Sequence, residues 1–174
     1  MTSTHSAPPF GWRRAAEAEL AFRHVTDADL PFLFQLYAST REAELAPVPW
    51  SEAQKAAFLD MQFRAQHSHY RTHYAQALWL VILRDGQAIG RLYLDHQPNE
   101  HRVVDIALMP EHRGKGYGAA LMRDLMEEAG SAGKAVGIHV EKNNPARRLY
   151  DRLGFVIVDE HGVYDRLEVR PAAP

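Results

Sequence analysis

The sequence predicts a mixed α/β domain of the α+β kind, in which a mostly antiparallel sheet carries one parallel crossover. Three observations lead there. The apolar run Leu78 to Arg84 reaches Asp85-Gly86, a strong hairpin signal, and the chain returns as a second strand, Ala88 to Asp95. A further run, Arg102 to Met109, follows the turn Gln97-Pro98-Asn99, so three consecutive strands form an antiparallel meander. A helical segment then leads to another short strand, Ala135 to Val140, and a strand–helix–strand unit of this kind implies a parallel pair.

The other elements fit around this centre. Leu20 to His24 reads as a first strand. Thr26-Asp27-Ala28-Asp29 supplies capping side chains for a helix whose apolar positions Leu30, Leu33, Phe34 and Tyr37 recur at helical spacing. Pro47-Val48-Pro49 interrupts the chain, and Ser51 caps a second helix with Phe58, Met61 and Ala65 on one face. Pro110 stops the third central strand. A glycine-rich loop opens a helix over Gly116 to Ala132, with Leu121, Met122, Leu125 and Ala129 inward. Asn144 at the N-cap and Pro145 in the first turn open a short helix with Ala146, Leu149, Tyr150 and Leu153 on its face, and Gly154 ends it. Phe155 to Asp159 and Val163 to Val169 make a last hairpin around His161-Gly162. The order is β-α-α-β-β-β-α-β-α-β-β, expected as one domain over residues 20–174, with residues 1–19 as a loose tail rich in Ser, Thr, Pro and Ala.

Composition narrows the function. The chain has 174 residues, 46% hydrophobic and 24% charged, with a formal charge of −2, so no global basic excess exists to hold nucleic acid or an anionic membrane. There are no cysteines, which excludes disulfides, thiolate metal sites and a cysteinyl-acyl intermediate. No apolar run reaches the roughly 20 residues that span a bilayer, and no secretory signal opens the chain. A cytoplasmic protein without a metal is the expectation. His67, His69 and His73 cluster on the second helix, with His69 and His73 at a spacing that can bind metal. No adjacent glutamate completes a ligand set there, and solvated helix histidines account for them.

Chemistry concentrates in Arg113-Gly114-Lys115-Gly116-Tyr117-Gly118, between a strand and a helix. Glycines let a phosphate approach the backbone, unpaired amides at the helix start point at it, and Arg113 and Lys115 add charge. A Walker A loop is excluded by spacing and by the missing Lys-Ser/Thr. Gly114, Gly116 and Ala119 do match the dinucleotide pattern G-x-G-x-x-A, and Glu141 stands about where a ribose-binding carboxylate belongs. Too little chain follows, however, for the run of βα units that pattern usually opens.

The stretch from Val104 to Gly118 resembles the acetyl-CoA-binding motif of the GNAT acetyltransferases, whose heart, Arg/Gln-x-x-Gly-x-Gly/Ala, is met by Arg113, Gly116 and Gly118. Val140 to Phe155, containing Asn143-Asn144-Pro145-Ala146-Arg147-Arg148-Leu149-Tyr150, is similar to the family's second motif at the proper distance. The resemblance implies a splay between the fourth and fifth strands that receives the pantetheine arm. The backbone of Leu108 and Met109 would pair with that arm, and the amides of Arg113, Gly114, Lys115, Gly116, Tyr117 and Gly118 would hold the pyrophosphate. Asn143 and Ala146 would line the other side, with Asn144 as the cap. Tyr150, whose pattern alone reads as core, would donate a proton to the departing thiolate of acetyl-CoA. The base that takes the proton of the attacking amine is Asp105, Glu100 or a water; Asp105 also has a cross-strand ion pair with Arg91 as its explanation. Tyr70, Arg71 and Tyr74, with Trp50, Phe58 and Phe63, border an acceptor pocket or simply pack.

The resemblance thus implies an N-acetyltransferase with acetyl-CoA as co-substrate, an amine acceptor, no nucleic-acid or membrane partner, and a homodimer as is common in such families. A non-catalytic CoA-binding module and a nicotinamide-dependent enzyme are the alternatives.

Overall fold

The computed structural model describes residues 11–172. Seven strands form one sheet in the order β1-β2-β3-β4-β5-β7-β6, with β1 at Leu20–His24, β2 at Leu78–Arg84, β3 at Gln87–His96, β4 at Glu100–Leu108, β5 at Ala135–Glu141, β6 at Val156–His161 and β7 at Tyr164–Val169. All neighbours are antiparallel except β4 and β5. That one parallel pair is the predicted crossover.

Helices cover both faces. On one side α4, Tyr117–Ser131, packs with Leu121, Met122, Leu125 and Ala129 against Leu80, Ile82, Leu92, Leu94 and Val103 of the sheet. On the other lie α2, Leu30–Leu45, and α3, Glu52–His73, which join through Leu33, Tyr37 and Phe63. Ser51 caps α3 as predicted: its hydroxyl accepts from Gln54 N–H while the Gln54 side chain takes the Ser51 amide. The inward face of α3 differs from the expected one. Phe63 is buried and Tyr70 reaches the sheet, whereas Met61 is 59% exposed. A helix with an apolar or small residue on every side does not declare its face by periodicity.

The ordered domain also starts earlier than Leu20. Trp12 is 2% exposed, and Arg13–Glu17 form a short helix, α1, on α4. Five residues cannot hold a helix alone. Here the buried carboxylate of Asp124 on α4 accepts from the amides of Arg14 and Ala15, so a distant side chain caps α1. The Trp12 ring stands edge-on to Phe22 at 5.1 Å. Burying an indole removes about 200 Å² from water, about 5 kcal/mol at ~25 cal/mol per Å². Residues 11–19 are therefore not the loose tail expected; the rest of that segment, 1–10, lies outside the described residues.

The feature that positions the site is the way β4 and β5 part. They pair through Glu100–Val103 and Ala135–Ile138 and then separate, leaving the last five residues of β4 and the end of β5 facing a gap. The register of β3 on β4 shifts at Tyr93/Leu94, giving β4 an extra residue at Val104 where the parting starts. Such a bulge bends the strand away from its neighbour.

Candidate active site

The glycine loop closes one end of the gap. Gly114 and Gly116 have φ of 70° and 85°, conformations that cost other residues about 1–2 kcal/mol. A Cβ at either would meet nothing within 4 Å, so these glycines serve backbone conformation rather than close packing. Gly116 is the N-cap of α4 and has no side-chain cap. The first amide bonded back to the cap is that of Ala120, on the Gly116 carbonyl, so the amides ahead of it have no partner within the helix. They lie at the positive end of a four-turn helix, where backbone amides and dipole favour an anion.

The two basic side chains of the loop behave differently. Lys115 is exposed and in no ion pair among the described residues. Arg113 folds back, giving Nε–H to the Leu108 carbonyl at 2.8 Å and an η-nitrogen hydrogen to Ser39 Oγ at 3.2 Å. Its guanidinium thus ties the end of β4 to α2. Tyr117 packs against the core beneath the loop, with the Arg84 guanidinium 5.8 Å from its ring.

The backbone expectation for β4 is corrected by one residue. Met109 N–H donates to Ile89 C=O at 2.8 Å, which turns it toward β3. Bonding directions alternate along an antiparallel ladder, so Leu108 and Ile106 turn their backbones away from β3 toward the gap, where the Leu108 carbonyl already accepts from Arg113.

Across the gap stands α5, Arg147–Arg152. Asn144 Oδ1 accepts from Ala146 N–H at 2.9 Å and shapes the turn ahead of α5, but the helix starts later than expected, with Ala146 rather than Asn144 as its N-cap. The exposed Asn143 side chain makes no hydrogen bond among the described residues. Leu149 Cδ2 lies 3.6 Å from where a Gly118 Cβ would be, so the starts of α4 and α5 face each other closely. Tyr150 is 4% exposed, its ring set edge-on to Phe155 at 5.6 Å. Its hydroxyl has no hydrogen-bond partner among the described residues. Burial, and secondarily the charge of Asp105, push its pKa above the ordinary phenol value, so the group is a neutral donor.

The two candidate bases separate sharply. Glu100 lies where β4 and β5 are still paired. Arg102 holds its Oε1 at 3.0 Å, Arg166 approaches its Oε2 at 3.4 Å, and it packs on Gly137. This cluster lies about 17 Å of strand from Asp105, before the gap opens. Glu100 is part of an ion network and is not brought to the site, which corrects that expectation. Asp105 lies just past the parting. Its Oδ2 accepts from Arg91 at 2.7 Å and from the Tyr70 hydroxyl at 2.8 Å, while Oδ1 makes no hydrogen bond among the described residues. The cross-strand Arg91 pair read from the sequence is present, as a diagonal neighbour, since Asp105 sits opposite Tyr93.

Around Asp105 lies an aromatic and polar cluster that the sequence only hinted at. Arg91 is 3% exposed, also donates to Gln66 on α3, and lies 5.0 Å from the Tyr93 ring. Tyr93 stacks on Trp79 at 4.8 Å. Tyr70, named as a border of the acceptor pocket, joins this cluster; Phe63 is core, and Trp50 and Phe58 pack on each other. Two links from α2 went unread: Ser39 to Arg113, and Arg41 to Glu141 on β5 at 3.0 Å. They bind α2 to both walls of the gap. Their signal was polar residues on a helix face that the apolar pattern leaves blank. Glu141 Oε1, on the carboxylate that a dinucleotide site would need, accepts from Arg41 and from the Tyr164 hydroxyl at 3.4 Å.

Burial raises the pKa of Tyr70, Tyr93 and Tyr150. Unfolded phenols lose protons near pH 10 while the folded ones keep them. The native state then binds more protons, and its stability falls with pH. The urea midpoint is expected to hold up to about pH 10 and to drop above it. A midpoint flat to about pH 11 would mean that these phenols ionise freely in the folded chain.

Relatives share this frame. Residues 31–155 match the acetyltransferase (GNAT) family. The mycothiol acetyltransferase of Corynebacterium glutamicum (strain R) is 28% identical over 138 residues, 72% of this chain and 46% of that protein, so the chain spans about half the length of this relative. The [ribosomal protein bS18]-alanine N-acetyltransferase of Haemophilus influenzae is 28% identical over 126 residues, 72% of this chain and 75% of that protein. Among solved structures, the PaiA N-acetyltransferase of Thermoplasma acidophilum in complex with coenzyme A covers 87% of this chain and 98% of its own at a TM-score of 0.65 and 19% identity. The spermidine N-acetyltransferase of Vibrio cholerae, in complex with CoA and spermine, covers 90% and 98% at a TM-score of 0.59 and 20% identity. At such identities the structures speak for the fold. Among the described residues no helix is long and apolar enough to cross a membrane. With the family match covering most of the chain, from α2 to the end of the second motif, this protein belongs to the acetyltransferase (GNAT) family.

Proposed function

We propose that the chain transfers an acetyl group from acetyl-CoA directly to a primary amine. The observation that carries this is the gap between β4 and β5, with helix amides unbonded within the helix at one end and, among the described residues, the Tyr150 hydroxyl and Asp105 Oδ1 without hydrogen-bond partners. The loop amides of Gly114 to Gly118, with Lys115, hold the pyrophosphate, and the backbones of Ile106 and Leu108 extend β4 onto the pantetheine arm. Asn143 and Ala146 line the opposite wall.

The amine nitrogen attacks the thioester carbonyl; a C–N bond forms and the C–S bond breaks. Asp105, directly or through a water, receives the proton that the amine loses. Tyr150 donates a hydrogen bond to the sulfur as negative charge develops there. With no cysteine in the chain, transfer proceeds without a thioester on the protein. The names of the relatives, a [ribosomal protein bS18]-alanine N-acetyltransferase and a spermidine N-acetyltransferase, point to the first amines to try.

Calorimetry with acetyl-CoA, with NADH as control, tests the reading. One equivalent of acetyl-CoA and no NADH is the expected result, followed by turnover with spermidine or with an alanine-ended peptide. Binding of NADH in preference would return the glycine loop to the dinucleotide alternative. Acetyl-CoA binding without turnover on any amine would leave the CoA-binding module as the better account.

A further inference from the structure

At the end of α4 far from the glycine loop, three side chains from three elements converge. His96 closes β3, His101 lies near the start of β4, and the two are direct cross-strand partners. Their rings stand 4.4 Å apart, edge to face. Glu128 reaches between them from α4, with Oε1 at 2.8 Å from His96 Nε2 and 3.3 Å from His101 Nδ1. All three ligand atoms lie within 4.8 Å of one another.

Two further observations point to a ligand. His101 is 3% exposed, yet its Nδ1 has no hydrogen-bond partner among the described residues although it faces the carboxylate. The other carboxylate oxygen of Glu128 is held by the buried Trp12 Nε1–H at 2.7 Å. That bond fixes the rotamer and leaves Oε1 turned to the imidazoles, the way outer groups orient metal ligands.

We propose that His96 Nε2, His101 Nδ1 and Glu128 Oε1 bind a divalent transition cation of the zinc class. Zinc bonds of about 2.0–2.1 Å in a tetrahedron place ligand atoms about 3.3 Å apart. The two separations from Glu128 Oε1, 2.8 and 3.3 Å, lie at or within about 0.5 Å of that distance, and the two imidazole nitrogens, within 4.8 Å, come to it by a small turn of the His96 side chain. Two imidazoles and one carboxylate suit zinc and its transition-metal neighbours better than magnesium or calcium, which take oxygen shells. Water takes the fourth position on the side of His96, whose side chain is 30% exposed. Glu128 lies about 16 Å along the helix from Tyr117, so the cation acts on architecture and leaves acetyl transfer alone. It joins α4 to the β3–β4 hairpin, and this site stands whether or not the acetyl-transfer reading does.

The test uses chelator-treated full chain titrated with Zn²⁺ by calorimetry, with Co²⁺ absorption as a second readout. The His69/His73 pair on α3, with rings 4.4 Å apart, is the competing site, and His69→Ala removes it. One saturable equivalent is expected that survives His69→Ala and is lost in His96→Ala and in Glu128→Gln. Trp12→Phe should weaken it about 10–100-fold. Far-UV circular dichroism confirms that each variant is folded, and the part-exposed His96 keeps the test usable if Glu128→Gln is not. No saturable equivalent, or one that persists in His96→Ala or vanishes in His69→Ala, overturns the proposal.

Discussion

Tyr150→Phe is expected to lower kcat by about 10²-fold and to leave acetyl-CoA affinity and stability nearly unchanged. The ring would keep its packing against Phe155 and the core, and the hydroxyl leaves no partner unsatisfied among the described residues. The size follows from relative acidities. A free thiol has a pKa of about 8.5, below that of an ordinary phenol, and burial raises this phenol further. Outright proton transfer to the thiolate is then uphill, and the group acts mainly as a hydrogen-bond donor to developing charge. The same shift keeps the donor protonated, so its loss should not shape the rate profile below about pH 10. Steady-state kinetics with acetyl-CoA titrations decide it: turnover within twofold of the parent would make Tyr150 a packing residue.

Arg91→Met should cost about 3–5 kcal/mol of stability, because it removes one partner of a buried ion pair. Arg91 is buried, and its removal leaves the half-buried Asp105 carboxylate with the Tyr70 hydroxyl alone and Gln66 without its donor. Deleting both charges, as Arg91→Met with Asp105→Leu, should recover most of the loss, because the penalty comes from an unmatched charge. Urea unfolding of the four proteins measures the coupling. A single-variant loss below about 1 kcal/mol would show that water screens the pair. Asp105→Asn addresses chemistry separately: if Asp105 is the base, the alkaline-rising limb of the pH–rate profile disappears with it.

Much of this site was legible because its signals are local. The glycines at 114 and 116 announce positive φ, Asn144 and Pro145 announce a helix start, and both motifs sit within short stretches of chain. The Arg91–Asp105 pair was readable because a charged residue amid a strand's apolar run needs a partner on the neighbouring strand. Met61 and Glu100 misled for the opposite reason: the face of α3 and the point where β4 leaves β5 depend on elements distant in sequence.

By itself, then, the sequence determined the order of the main elements from Leu20 onward, the single parallel crossover, the glycine loop ahead of α4 and the short helix that carries Tyr150. Each is a property of backbone conformation or period within some fifteen residues. Tertiary structure alone decided which carboxylate faces the gap, that Met109 turns from it while Leu108 faces it, and that Asp124 caps a helix more than a hundred residues away. It also brought His96, His101 and Glu128 to one point. Those outcomes follow from strand register and helix docking, which burial over the whole chain sets and no local pattern records.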